Sequence, residues 1–167
     1  RLVQANVRAD LKIIVMSATL DAQNVAAFLG NCPIVTSEGR TFPVAVRYEP
    51  KREEDRWPRA TARAIANVAL ESSGDILAFL PGVGEIRRTA DFLGERIRDK
   101  TIDIVPLYGA LDSDVQDKAI EPSPEGRRKI VLATSIAETS ITIKGVRVVV
   151  DSGLARVPRF EPDLGLT

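Results

Sequence analysis

The sequence predicts an α/β protein in which helices flank a parallel sheet. Short apolar runs alternate along the chain with longer segments whose apolar residues recur at helical spacing. This alternation is clearest between residues 60 and 150. Since strands that alternate with helices pair in parallel through right-handed crossovers, we expect a sheet of buried strands in that region.

The start of the chain predicts two strands and a helix. The apolar run at residues 11–16 is typical of a strand buried on both faces, and the run at 33–36 predicts a second strand. Asp21 is suited to cap a helix over residues 22–29. Residues 50–58 are charged and bounded by prolines, so we interpret them as a linker.

The rest of the chain predicts helices and strands in regular alternation. The apolar residues recur at helical spacing in some segments and form the continuous runs of buried strands in others. In chain order we expect a helix at residues 60–69, a strand at 76–80, a helix at 83–98, a strand at 102–107, a helix at 113–120 capped by Asp112, and strands at 129–133 and 146–150.

Composition limits the classes of function. Of the 167 residues, 44% are hydrophobic and 28% are charged, which is globular composition. Basic and acidic residues number 23 each, so no long-range field attracts the chain to nucleic acid or to a membrane. Without histidine, the chain has no Ser-His triad and no imidazole acid–base catalysis. The lone Cys32 favours a reducing cytoplasm, and the absence of a long apolar run favours a soluble protein.

Residues suited to bind a ligand follow the predicted strands. Ligands of parallel sheets bind in loops beyond the carboxyl ends of the strands, and hydroxyl, glycine and carboxylate residues gather in these loops. The loops selected in this way are residues 17–19, 81–84, 108–111, 134–142 and 151–153.

The loop at residues 134–142 is the most informative of them. It has five hydroxyl side chains and one carboxylate in nine residues, directly after a predicted strand. Hydroxyls and backbone N–H groups bind phosphates without reading bases, although a hydroxyl-rich loop can also be a solvated connection. Because Ile136, Ile141 and Ile143 should pin this loop to the core, we expect it to be rigid and to bind a ligand.

Other features leave two interpretations open. The Pro-Gly-Val-Gly sequence at residues 81–84 would let the backbone approach an anion at a helix N-terminus, or it is a plain tight turn. Ser17, Ala18 and Thr19 could couple neighbouring loops or lead into a helix. The basic run at 127–129 is either a phosphate contact or a solvated face.

Taken in order along the chain, these segments resemble the conserved motifs of DEAH-box RNA helicases. Residues 10–21, which include Met-Ser-Ala-Thr-Leu-Asp, resemble motif III, and residues 39–44 resemble the exit from the first lobe. Residues 79–86 resemble motif IV, and residues 107–111 resemble the next nucleic-acid loop. Residues 134–143 resemble motif V, and residues 150–153 resemble the strand end that follows it. Residues 80–86 and 157–167 are similar to the bacterial HrpB-type branch. The resemblance covers nearly the whole chain.

The resemblance implies a RecA-like parallel sheet with flanking helices, the P-loop NTPase-type helicase lobe. Residues 1–48 would be the C-terminal part of a first lobe, 49–58 the linker, and 59–167 a second lobe that stops before motif VI. The implied protein is an ATP-dependent RNA helicase that couples NTP hydrolysis to translocation on single-stranded RNA, with DNA as a further candidate. ATP and Mg²⁺ would be its cofactors, and the Mg²⁺ ligands would lie outside this chain.

The resemblance also implies roles for individual residues. Nucleic-acid contacts would come from Gly82, Tyr108, Gly109, Thr134, Ser135 and Thr139. Nucleotide contacts would come from Ile120, Ser140 and Lys144. Ser17, Ala18 and Thr19 would couple hydrolysis to strand movement.

Two positions depart from the pattern of the family. Many relatives have an aromatic side chain that stacks on adenine where this chain has Ile120, and an acid where it has Lys144. Either the ribose side of the site is altered, or Lys144 pairs with a phosphate.

The sequence lacks the elements that complete phosphoryl transfer. It contains no G-x-x-x-x-G-K-[ST] loop, no DEAH tetrapeptide and no arginine-bearing motif VI, so we expect the chain alone to be catalytically incomplete. The alternative is a degenerate RecA-like lobe that acts as a non-catalytic module for binding nucleic acid or protein.

Overall fold

The computed structural model describes two compact units of the chain, residues 1–46 and 47–167. Within them the described residues are 2–16, 21–37, 42–139 and 141–156. All strands of the described residues lie in the second unit.

The first unit contains two short helices, α1 (Leu2–Asn6) and α2 (Ala22–Phe28). Asp21 caps α2 as expected, because its carboxylate accepts the backbone N–H of Asn24 at 3.2 Å. The helix ends one residue before the predicted bound. Asn31 then turns the chain in the left-handed region at a φ of 59°.

The strands expected at residues 11–16 and 33–36 are wrong in this structure. Both segments have an irregular backbone, and the side chains of Ile14 and Met16 are 82% and 87% exposed. A strand needs a paired neighbour to satisfy its backbone and to cover its side chains, and the described residues of this unit provide none.

The second unit is a four-stranded parallel sheet with flanking helices, which confirms the predicted fold class. The sheet order is β2-β3-β1-β4, so β3 pairs with β1 and β2 while β4 lies at an edge. The strands are β1 (Asp75–Phe79), β2 (Ile102–Leu107), β3 (Arg128–Ala133) and β4 (Val146–Asp151), and the helices are α3 (Trp57–Glu71), α4 (Val83–Arg96), α5 (Ser113–Ile120) and α6 (Ile136–Thr139).

Helices cover both faces of this sheet. Side chains alternate across a strand, so Ile130 and Leu132 of β3 face one cluster and Val131 faces the other. The first cluster includes Ile65 of α3 and Leu93 of α4, which are fully buried. Burial on both faces explains why β1 and β3 are nearly continuous apolar runs.

Three helices of the second unit differ from the sequence-based expectation. Helix α4 ends at Arg96 rather than at residue 98. Helix α3 begins at Trp57 rather than at residue 60, with Pro58 in its first turn, where the missing N–H costs no hydrogen bond. Asp55 forms a salt bridge with Arg63 of α3, so the segment before the helix is attached to it. Helix α6 was expected as loop, since four residues rich in hydroxyls give little helical signal.

The amino edge of the sheet, where the strands begin, is tightly packed. The N–H of Asp75 donates to the carbonyl of Gly145 at 3.0 Å. Gly145 has a φ of +87°, and a Cβ there would lie 2.9 Å from Oδ2 of Asp75. Gly145 is therefore required both by its backbone conformation and by this close approach.

We expect Gly145→Ala to destabilise the fold more than Gly126→Ala. Both positions have positive φ, +87° and +75°, so both variants should lose about 1–2 kcal/mol to left-handed strain. Only Gly145→Ala adds a contact with Asp75, which should cost about 1–3 kcal/mol more, because Gly126 has open space around it. Denaturant titration of both variants measures the difference, and equal losses would contradict the close packing.

Candidate functional site

The carboxyl edge of the sheet, where the strands end, collects four of the loops that the sequence selected, those at residues 81–84, 108–111, 134–142 and 151–153. Backbone hydrogen bonds continue the sheet pattern into these loops. Thr134 N–H donates to the carbonyl of Leu107 at 3.2 Å, and Leu80 N–H donates to that of Ala133 at 2.8 Å. Ser152 N–H donates to the carbonyl of Phe79 at 3.2 Å. The loops after all four strands are therefore held in one row by the backbone.

Gly82 lies in this row as the N-cap of α4. Its φ of −176° is ordinary extended backbone, so the conformation at this position does not require glycine. An added Cβ would lie 2.8 Å from Nε of Arg156 and 3.1 Å from Oε2 of Glu85. The first N–H groups of a helix and its dipole favour an anion at such a position.

A cluster of two arginines and one glutamate borders Gly82. Glu85 accepts from Arg88 at 2.6 Å and from Arg156 at 3.3 Å. The glutamate side chain is 17% exposed, whereas those of Arg88 and Arg156 are 60% and 71% exposed. The cluster thus presents a net positive charge to solvent. Sequence reasoning missed it, because Arg156 lies 71 residues from Glu85.

The loop after β2 packs against α6. Leu111 N–H donates to the carbonyl of Tyr108 at 3.1 Å and closes a turn. A Cβ on Gly109 would lie 3.5 Å from Cδ1 of Ile136. Gln116 on α5 donates to the carbonyl of Leu111 at 2.7 Å. Tyr108 and Gly109 are therefore held beside the loop that follows β3.

That loop begins with Thr134, which is half-buried, and Ser135, which is exposed. Ala137 is buried and donates its N–H to the carbonyl of Thr134 at 3.3 Å. Ile136, Ile141 and Ile143 pack against the core, as expected.

Some predicted site residues lie outside the described part. Thr139 ends α6, but its side chain lies outside what the structure describes. Ser17, Ala18, Thr19 and Ser140 also lie outside the described residues.

The carboxyl edge thus combines backbone N–H groups, hydroxyls and exposed arginines in one row. Neutral donors and guanidinium groups bind phosphate oxygens, and an array of them along an edge suits a run of phosphates. The structure brings together Gly82, Tyr108, Gly109, Thr134 and Ser135 at this edge.

Ile120 and Lys144 lie at the opposite, amino edge. Ile120 ends α5, and the carbonyl of the next residue, Glu121, accepts from the Lys129 ammonium at the start of β3. Lys144 is exposed and precedes Gly145, which bonds to Asp75 at the start of β1. A strand of five or six residues spans about 17–20 Å, so the predicted site is divided into two distant groups.

The basic run at residues 127–129 faces the amino edge and is engaged by protein groups. Arg127 forms two hydrogen bonds with Asp103, at 3.0 and 2.5 Å, and this guanidinium lowers the pKa of the Asp103 carboxyl. Arg128 donates to the carbonyls of Ser72 and Ala69 at the end of α3. Burial lowers the pKa of the Lys129 ammonium. These partners account for the run without a bound phosphate.

Metal ligands and membrane-spanning helices would indicate two further classes of function. Within that part of the chain, histidine, cysteine and carboxylate side chains form no group suited to hold a metal ion. None of the helices in the same ranges has the length and apolar character that crossing a bilayer requires.

Comparison with known proteins identifies relatives of this chain. Residues 60–161 match the helicase conserved C-terminal domain family. The chain is 51% identical over 165 residues to the ATP-dependent RNA helicase HrpB of Escherichia coli, covering 99% of this chain and 20% of that protein. It is 43% identical to the pre-mRNA-splicing factor ATP-dependent RNA helicase prp22 of Schizosaccharomyces pombe, covering 95% of this chain and 14% of that protein.

Solved structures show the same similarity. The crystal structure of the Escherichia coli DEAH/RHA helicase HrpB superposes with a TM-score of 0.89 at 51% identity, over 98% of this chain and 21% of that one. The chain therefore spans about a fifth of the length of HrpB, and less of the splicing factor.

Proposed function

The chain belongs to the helicase conserved C-terminal domain family, and we propose that it is part of an ATP-dependent RNA helicase of the DEAH-box, HrpB type. In this proposal the protein couples NTP hydrolysis to translocation on single-stranded RNA. The observation that carries the proposal is the row of backbone N–H groups, hydroxyls and exposed arginines at the carboxyl edge, which is suited to bind phosphates, in a chain whose relatives are named as ATP-dependent RNA helicases.

The backbone of a single RNA strand would lie along the carboxyl edge. Gly82, Thr134 and Ser135 would donate to phosphates, and the turn at Tyr108 and Gly109 would line the path. Contacts of this kind act on phosphates and not on base edges, so binding would be largely independent of sequence. A DNA single strand has the same phosphates and is the further candidate.

The nucleotide would face the amino edge. Lys144 is exposed there and is suited to pair with a phosphate of ATP, while Ile120 offers an apolar surface without aromatic stacking. The resemblance assigns Ser140 to nucleotide contacts as well. The ligands of Mg²⁺ would come from other parts of the protein.

The domain organisation follows from the same proposal. Residues 1–48 would end a first lobe that contains the coupling residues Ser17, Ala18 and Thr19. Residues 49–58 would be the linker and residues 59–167 the second lobe. A single free cysteine, Cys32, is consistent with a protein of the cytoplasm.

A second candidate function is a RecA-like module that binds nucleic acid or protein without catalysis. Its net charge of zero, which gives no long-range attraction to nucleic acid, favours protein contacts in this candidate. RNA-stimulated ATP hydrolysis by the complete protein that contains this chain would support the helicase. Binding of RNA without hydrolysis would support the module.

We expect Thr134→Val in the complete protein to lower RNA affinity about fivefold for every base sequence. The variant keeps the shape of the side chain and removes a neutral hydroxyl contact of about 1 kcal/mol. A hydroxyl displaces no counterion, so the dependence of affinity on salt should hardly change. RNA titration at several salt concentrations measures both quantities.

The matched control is Thr101→Val, whose hydroxyl bonds to Asp99 near the amino edge at 2.6 Å. Its RNA affinity should equal that of the wild type. A lower melting temperature with unchanged RNA affinity in Thr134→Val would instead make Thr134 structural.

We expect Lys144→Glu to weaken ATP binding while RNA affinity stays unchanged. Reversal of the charge replaces attraction to a phosphate by repulsion, and the RNA path lies at the opposite edge of the sheet. Lys100→Glu makes the same change of charge at another exposed lysine and should have little effect. Titration with a fluorescent nucleotide compares the variants, and equal affinities would assign Lys144 to a solvated turn.

We expect the isolated chain to hydrolyse no ATP, with or without RNA. Phosphoryl transfer needs a P-loop lysine, Mg²⁺ and an arginine finger, and the sequence contains neither the P-loop nor motif VI. Phosphate release from the isolated chain and from the complete protein decides the point. ATP hydrolysis by the isolated chain would contradict the requirement for a P-loop and motif VI.

A further inference from the structure

We propose that Asp75 is a positioning residue that holds the two nucleotide-facing segments, after α5 and before β4, in a fixed relation. The inference rests on the proposed function, because it concerns the amino edge at which ATP would bind. Asp75 is the first residue of β1 and is 3% exposed. Its contacts reach both of the segments that contain Ile120 and Lys144.

The first contact is with the segment that follows α5. The hydroxyl of Ser123 lies 3.0 Å from each carboxylate oxygen of Asp75. The backbone N–H of Lys129 donates to Oδ1 at 2.8 Å. The side chain of the same lysine donates to the carbonyl of Glu121, next to Ile120. The carboxylate therefore fixes this segment three residues after Ile120 and again where β3 begins.

The second contact is with the turn that precedes β4. The backbone N–H of Asp75 bonds to the carbonyl of Gly145 at 3.0 Å, and the missing Cβ of Gly145 lets the carboxylate approach. The pairing register then shifts, since Asp75 is opposite Val146 while Ile76 is opposite Val148. Such a bulge redirects the residues beside it. Asp75 thereby holds the residue that directly follows Lys144.

The burial of the Asp75 carboxylate indicates that its hydrogen bonds position the segments around it. Burial of a charge costs free energy that only good partners offset, and an apolar residue would fill the position without that cost. The partners of Asp75 occupy its acceptor oxygens, and only 3% of the residue is exposed. Asp75 is thus unable to touch a nucleotide itself, and it acts through Ile120 and Lys144.

The test measures ATP turnover and RNA affinity of the complete protein with Ser123→Ala. This change removes the hydrogen bond between Asp75 and the segment after Ile120. The KM for ATP should rise about fivefold, the effect of one lost hydrogen bond, with kcat within about twofold of the wild type. RNA affinity should be unchanged, because the carboxyl edge does not depend on this contact. Ser123→Thr keeps the hydroxyl and should restore the KM.

A second variant and a control complete the design. Asp75→Asn keeps one acceptor oxygen but loses the charge. It should also raise the KM for ATP without lowering the affinity for RNA. Asp99→Asn changes an exposed carboxylate that bonds only to Thr101 within the described residues, so its KM should equal that of the wild type.

Two results would overturn the inference while leaving the proposed function intact. One is an unchanged KM in both Ser123→Ala and Asp75→Asn. The other is a loss of RNA affinity in parallel with the rise in KM and a fall in melting temperature, which is the behaviour of a general structural residue. A wild-type protein without ATP turnover would overturn the proposed function and the inference together.

Discussion

The parallel pairing of β3 with both of its neighbours is the constraint on which the rest of the second unit depends. Ala133 is paired with Phe79 of β1 and with Leu107 of β2, so three strands end at the same level. The loops that follow these three strands therefore lie side by side. The hydrogen bonds from Thr134 and Leu80 continue the ladder beyond the strands and turn this row of loops into a rigid surface.

The same pairing places a different set of polar groups where the strands begin. At the carboxyl edge the groups are open to solvent, as the exposed Arg88 and Arg156 show. At the amino edge Asp75 and Lys129 are turned inward, where each is 3% exposed and bonded to neighbours, while Lys144 is exposed. The carboxyl edge is therefore suited to bind a run of phosphates, and the amino edge combines buried groups that hold its segments with an exposed lysine.

Prediction from sequence succeeded where local pattern and tertiary environment agree. The predicted bounds of β2 are those observed, and the other strands differ by one residue at one or both ends. The strands β1 and β3 are apolar runs because both of their faces are buried. It failed at residues 11–16, whose composition is equally apolar, because a strand forms only where another strand accepts its hydrogen bonds. It also missed α6, where four residues contain too few turns for periodicity to be visible.

The sequence by itself determined the α/β class, the loops that follow the strands and the resemblance to a helicase family, because each depends on residue types at short spacing. Only the tertiary structure decided which of those loops share an edge. It separated Ile120 and Lys144 from Thr134, and it joined Glu85 to Arg156 and Asp75 to Ser123. Contacts between residues 48 or 71 positions apart leave no periodic signal, since they arise only when the strands pair and bring distant loops to one edge.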